Sequence, residues 1–208
     1  MSEIHIFTGP MASGKTTTLL EKLHRYSNVC EERVLLINYL GDQRGDDCTN
    51  SCDAAGHGVS THLYGDVSKH VVLGKYIDAI RVTRLNEISS KKLSKYNVVG
   101  IDEAQFYPDL YDFVERNFHQ KQMTYYVSGL CTDSENRSFG EIDRLLPLAT
   151  TFKKMTAICA HCDRKKMVPA AYTLSVKQKE TQVAFGGLDE YKPVCSFHFF
   201  GNKFVGLY

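Results

Sequence analysis

Eight consecutive residues near the amino terminus, Gly9-Pro10-Met11-Ala12-Ser13-Gly14-Lys15-Thr16, fit G-x-x-x-x-G-K-[ST] at every fixed position. A phosphate chain needs donors at short range, and side chains would hold the backbone away from it; Gly9 and Gly14 remove that obstacle. Backbone N–H groups then point inward, Lys15 reaches the β and γ phosphates, and the Thr16 hydroxyl takes a place on Mg²⁺. Further along, the adjacent acids Asp102-Glu103 close an apolar run. At a strand end facing the loop, Asp102 is placed to support the metal and Glu103 to take a proton from an attacking oxygen. Such a pair also serves enzymes that activate water, so on its own it leaves kinase and ATPase both open.

A third group of residues points to a metal. Cys159-Ala-His-Cys162 and Cys195-Ser-Phe-His198 are two short knuckles separated by thirty-two residues. Three thiolates and one imidazole at this spacing make a closed tetrahedral Zn²⁺ site, which leaves no position for water and is therefore structural. The two-residue gap favours Cys162 over His161 as the ligand. Cys30, Cys48, Cys52 and Cys131 have no ligand spacing, and Cys48 and Cys52 read as ordinary thiols.

These residues need elements to hold them. Ile4, Ile6 and Phe7 read as a strand entering the glycine loop, and Thr17 to Tyr26 as a helix leaving it, with Leu19, Leu20 and Leu23 on one face. The apolar run Arg33–Tyr39 is a strand buried on both faces, the mark of a parallel sheet. From Leu40 to Gly65 the chain turns to Gly, Asp, Asn, Ser and Cys and reads as irregular, while Val71 to Arg84 fits neither a helix nor a strand period. Asn86 is expected to cap a short helix ending near Tyr96. Val98–Asp102 is the second informative strand, Pro108 suits the start of a helix over about 109–119, and Thr124–Val127 forms a further strand. This alternation predicts an α/β domain, residues 1–150, with a mostly parallel P-loop sheet, helices on both faces and the active site at the carboxyl ends of the strands. Residues 151–208 break into short β-like pieces and form a small zinc-binding unit.

Composition narrows the function classes. A chain of 208 residues with 43% hydrophobic and 24% charged content can build one core and a satellite, and reads as a soluble globular protein. The net charge of +1 asks for neither nucleic acid nor an anionic membrane. There is no membrane-length apolar run and no signal-peptide pattern, and seven cysteines are an odd number for a disulfide framework, so the expected setting is the reducing cytoplasm. The competing class is a P-loop ATPase or switch whose zinc ribbon binds nucleic acid. The basic residues around the first knuckle, Lys153, Lys154, Arg164, Lys165 and Lys166, are read instead as a solvated or phosphate-facing edge.

In combination and order, GPMASGKTT, DEAQF and the Cys-x-x-Cys/Cys-x-x-His pair resemble the type II thymidine kinases, over most of the chain. The resemblance implies ATP-dependent phosphorylation of the thymidine 5′-hydroxyl, with Mg²⁺, a structural Zn²⁺ and a homotetrameric assembly. It makes Glu103 the base and Arg44, in Asp42-Gln-Arg44, the neutraliser of charge on the transferred group. It groups Gln105 with Gly9–Thr16 and Asp102 as ATP and Mg²⁺ ligands. Met11, Asp42, Phe106, Phe139, Thr173, Gly186, Gly187 and Tyr191 would meet the nucleoside, the last four in a lasso loop that reads the base largely through backbone groups. The chain departs from the family at Ala12, Cys131, Ser134 and Leu174-Ser175. Ser134 stands where an aromatic packs by the base, so these changes bear on the substrate rather than on phosphoryl transfer.

Overall fold

The computed structural model describes residues 2–41, 60–61, 65–66, 77–120, 122–176 and 189–204. Asp42, Arg44, Cys48, Cys52, Gly186, Gly187 and most of the segment 57–81 lie outside the described residues. Strand β1 (Glu3–Thr8), helix α1 (Lys15–Val29) and strand β2 (Val34–Tyr39) form the first βαβ unit. Two-residue strands β3 (Ser60–Thr61) and β4 (Gly65–Asp66) precede β5 (Ile77–Val82), α2 (Ser90–Leu93), β6 (Val98–Ile101), α3 (Leu110–Gln120) and β7 (Thr124–Gly129). The rest is short: β8 (Thr151–Lys154), β9 (Ala157–Ile158), β10 (Pro169–Ala170), β11 (Tyr172–Ser175), β12 (Tyr191–Val194) and α4 (Ser196–Phe204).

Six strands make one sheet in the order β5-β2-β6-β7-β1-β8, every neighbouring pair parallel. Parallel pairing requires crossovers, and these cover both faces. On one face Leu19, Leu20 and Leu23 of α1 pack on Phe7, Val34, Leu36 and Val98. Gly100 permits the close approach, since a Cβ there would sit 2.5 Å from a methyl of Leu23. On the other face Leu110, Phe113 and Val114 join Ile4, Ile6, Leu35, Ile37, Val99 and Ile101. A fully buried Leu or Ile in these layers contributes about 1.5–3 kcal/mol.

Several sequence expectations shift. The ambiguous stretch contains strand β5, which among the described residues is an edge strand paired with β2. Asn86 is not a helix cap: it lies in a 3₁₀ turn and its N–H donates to Asp109 Oδ2 (2.9 Å), while Ser89 caps α2 by accepting from the Lys92 N–H. Helix α1 runs past Tyr26 to Val29. The first strand after residue 150, β8, joins the main sheet as its other edge, beside β1. Beyond it, β9–β12 and α4 enclose a small core of Ala157, Cys159, Ala170, Val194, Cys195 and Phe199. Tyr172 stacks on Phe199 there, ring centroids 4.7 Å apart.

Candidate active site and metal centre

Strand β1 ends at Thr8, and the chain turns at Gly9 with φ +154°. A Cβ at Gly9 would run into the Met155 carbonyl oxygen, so the loop lies directly against the stretch after β8. Ala12 (φ +58°) and Gly14 (φ +79°) are left-handed. Gly14 leads into α1 with no side-chain cap and no acid in the first turn. The helix therefore presents its first N–H groups and positive end to the loop's interior. Ser13 Oγ is buried there with no partner among the described residues. An uncapped helix start, an orphaned hydroxyl and two glycines fit an anionic phosphate chain. Lys15 Nζ meanwhile donates to the Pro10 carbonyl (2.9 Å), across the loop.

Parallel pairing of β6 with β2 and β7 brings Asp102 to the same end of the sheet as the loop, the carboxyl ends of the strands, its N–H donating to the Ile37 carbonyl (3.0 Å). Burial pushes the Asp102 carboxyl up to about 6, and the neighbouring Glu103 pushes the same way. The hydroxyls of Ser128 and Thr16 pull it back, although Ser128 Oγ falls short of a formal hydrogen bond. A buried carboxylate beside the loop's threonine is a ready partner for a divalent cation. Glu103 is left-handed (φ 49°, ψ 42°), an uncommon conformation for a residue with a side chain. Gln105 is buried, and its amide is spent on Glu103 Oε2 (2.7 Å) and on the Leu130 N–H (2.9 Å).

Aromatic rings follow. Phe106 meets Phe139 edge-on, centroids 5.7 Å apart, and Tyr39 at 5.1 Å. Thr173 of β11 is buried, and its hydroxyl accepts the Met11 N–H (3.1 Å), tying the second unit to the phosphate loop. Tyr191 opens β12 opposite Ser175. The structure thus gathers Gly9–Thr16, Asp102 and Glu103 into one cluster, joins Thr173 to it through Met11, and pairs Phe106 with Phe139.

The ligand atoms of Cys159, Cys162, Cys195 and His198 all lie within 4.8 Å of one another. The sulfurs of Cys162 and Cys195 are 3.9 Å apart, and His198 Nδ1 lies 3.5, 3.5 and 3.3 Å from Cys159, Cys162 and Cys195. A tetrahedron with ordinary Zn–S and Zn–N bonds has edges of about 3.8 and 3.6 Å, so the quartet fits Zn²⁺. Burial raises the Cys159 thiol, but N–H groups of Cys195, His161 and Cys162 outweigh it and bring the group to about 6, favouring thiolate. His161 is not among the four ligands; its ring packs edge-on against His198.

Sequence reasoning passed over Met155, the two bonds of Gln105 and the glycines behind them, Gly129 and Gly140. No local pattern announces them, because each acts on a residue distant in the chain.

The chain matches the family model described as "Thymidine kinase" over residues 2–199. It is 31% identical to the cytosolic thymidine kinase of Gallus gallus, over 97% of this chain and 78% of that protein. It is 31% identical to the thymidine kinase of Fowlpox virus, over 96% of this chain and 97% of that protein. With the thymidine kinase of Oryza sativa it shares 30% identity, over 98% of this chain and 68% of that protein. With the phosphate loop, the Asp102-Glu103 pair and the Cys₃His quartet in place, the chain belongs to the thymidine kinase family.

Proposed function

We propose that this chain transfers the γ-phosphoryl group of ATP to the 5′-hydroxyl of thymidine, giving dTMP and ADP. The observation that carries the reading is Glu103 set beside Asp102 at the phosphate loop, within a family match spanning the chain. Glu103 takes the proton of the 5′-hydroxyl; that oxygen bonds to the γ-phosphorus, whose bond to the β–γ bridging oxygen breaks as ADP leaves. The N–H groups of Gly9–Thr16 and the Lys15 ammonium hold the phosphates. Thr16 and Asp102 would hold Mg²⁺, which when bound neutralises charge across the β and γ groups. Arg44 offsets charge on the transferred group. Met11, Asp42, Phe106, Phe139, Thr173, Gly186, Gly187 and Tyr191 form the nucleoside side, and Zn²⁺ on the Cys₃His quartet would hold together the base of that loop.

The protein is further proposed to act as a homotetramer in the cytoplasm, in keeping with the cytosolic name of the Gallus gallus relative. No helix among the described residues is long and apolar enough to cross a membrane. Labelled ATP, Mg²⁺ and a panel of nucleosides test the reaction: thymidine monophosphate should dominate. A tenfold preference in kcat/KM for deoxycytidine or a purine deoxynucleoside would refute the thymidine assignment. Glu103→Gln should bind ATP normally while kcat falls by roughly 10² to 10⁴.

A further inference from the structure

Gln105 is held in a way that no phosphate-binding role requires. It is 4% exposed, and both ends of its amide are engaged, by Glu103 and by the Leu130 N–H. The Leu130 N–H at the end of β7 can only donate, so the amide must present Oε1 to it (2.9 Å). The NH₂ end is thereby forced toward Glu103 Oε2 (2.7 Å). A backbone group thus fixes the amide's orientation, and the amide in turn holds one carboxylate oxygen.

The backbone around this contact is as confined as the side chain. A Cβ at Gly129 would sit 2.5 Å from Gln105 Oε1 and 3.0 Å from the Ala104 nitrogen. A Cβ at Gly140 (φ +71°) would sit 2.5 Å from the Gln105 carbonyl oxygen and 2.7 Å from its Cα. The 3₁₀ turn Ala104–Phe106 is thus pressed between two glycines, and Glu103 enters it in the left-handed conformation. Left unsupported, such a residue relaxes toward the common regions of backbone space and carries its carboxylate away.

We infer that Gln105 is a positioning residue for Glu103: it ties one oxygen of the carboxylate to the end of β7 and so fixes where the group stands. This rests on the reading of Glu103 as the base. It departs from the grouping of Gln105 with the ATP and Mg²⁺ ligands, and the two roles separate in kinetics. A positioning residue moves kcat; a phosphate or metal ligand moves the KM for ATP or the Mg²⁺ requirement.

The test uses full-length Gln105→Glu and Gln105→Leu with Glu103→Gln and the two double variants. Gln105→Glu keeps the shape and the acceptor for Leu130 but turns a second carboxylate toward Glu103, and a thermal melt beside wild type checks that each variant is folded before its kinetics are read. Gln105→Glu should lose about 10²-fold in kcat, the effect of misplacing a reacting group by about 1 Å, with both KM values within about twofold of wild type. Gln105→Leu should lose at least about tenfold in kcat with the same KM values. In the Glu103→Gln background, adding Gln105→Glu should cost under about threefold, because residues acting as a unit are not additive. Wild-type kcat in Gln105→Glu, a rise of tenfold or more in KM for ATP with kcat kept, or a full additional loss in the double variant would each overturn the inference. If Glu103→Gln alone keeps wild-type turnover, the base assignment fails and this inference with it. If Glu103→Gln is impaired and Gln105→Glu is not, only the inference fails.

Discussion

Asp102→Asn should stabilise the Mg²⁺-free protein while abolishing turnover. Asp102 is 5% exposed, and burial holds its carboxyl near 6, well above the ordinary carboxylate value of 3.8. A group whose folded value is raised binds protons more tightly when folded. Its ionised form therefore costs stability, in full above about pH 6, and the cost fades as pH falls toward the unfolded value. That cost is on the order of 2–3 kcal/mol at neutral pH. An asparagine of the same shape avoids it and leaves a donor for the Ser128 hydroxyl, which has no partner among the described residues. For a chain of this size the gain corresponds to about 5–10 °C in Tm. Thermal melts in Mg²⁺-free buffer at pH 7.5 and pH 5 would check it. The variant should melt higher at pH 7.5, and the gap should narrow at pH 5 as the wild-type carboxyl protonates. An Asn variant melting at or below wild type at pH 7.5 would refute the reasoning, since burial would then not be what raises this carboxyl.

The remaining predictions are more local. Gly140→Ala must place a Cβ 2.5 Å from the Gln105 carbonyl oxygen at φ +71°, which should cost about 2–4 kcal/mol in denaturant melts. Gly201→Ala, with open space around it in α4, should be neutral or stabilise by up to about 1 kcal/mol, and equal melts for the two variants would show that backbone crowding is not the cause. Purified protein should carry about one Zn²⁺ per chain; Cys162→Ala should speed amide exchange in β9–β12 and α4 and leave β1, β2, β6 and β7 protected. Uniform exchange changes across both units would count against a local metal clip. Ser134→Phe should tighten thymidine binding about threefold to tenfold by titration calorimetry, and no change would mean that the base does not reach this position.

The parts of the site that could be read from the sequence are those whose chemistry is contiguous or closely spaced. Gly9–Thr16 is one loop, Asp102-Glu103 one dipeptide, and the zinc ligands two short knuckles, so residue type and spacing sufficed. The sheet core was legible for the same reason: Val34–Ile37 is buried on both faces and shows it as an unbroken apolar run. Strand β5 hid because, among the described residues, only one side of it pairs, and Ile77-Asp-Ala-Ile-Arg-Val82 mixes buried and exposed positions. Strand β8 hid further, since all four residues are exposed and only its backbone pairing marks it as part of the sheet. Asn86 has the chemistry of a helix cap, but Asp109 engages its N–H from 23 residues away. The partner of Gln105, 25 residues on, was equally out of view.

The placement of β1 sets an order on the chain's own synthesis. Of the six strands of the sheet, the first in chain order, β1, lies between β7 and β8, the last two. The loop that follows β1 rests on Met155 and on Thr173, 162 residues beyond Met11. A chain that stops before β8 therefore cannot close its sheet: β1 has both edges open until β7 is made, and one edge open until β8 is. Contacts so far apart in sequence make folding slow and leave strand edges open to wrong partners. The phosphate loop after β1 is completed by β8 and Thr173, so a product cut short before β8 would hold the whole phosphate motif without the strand and threonine that support it.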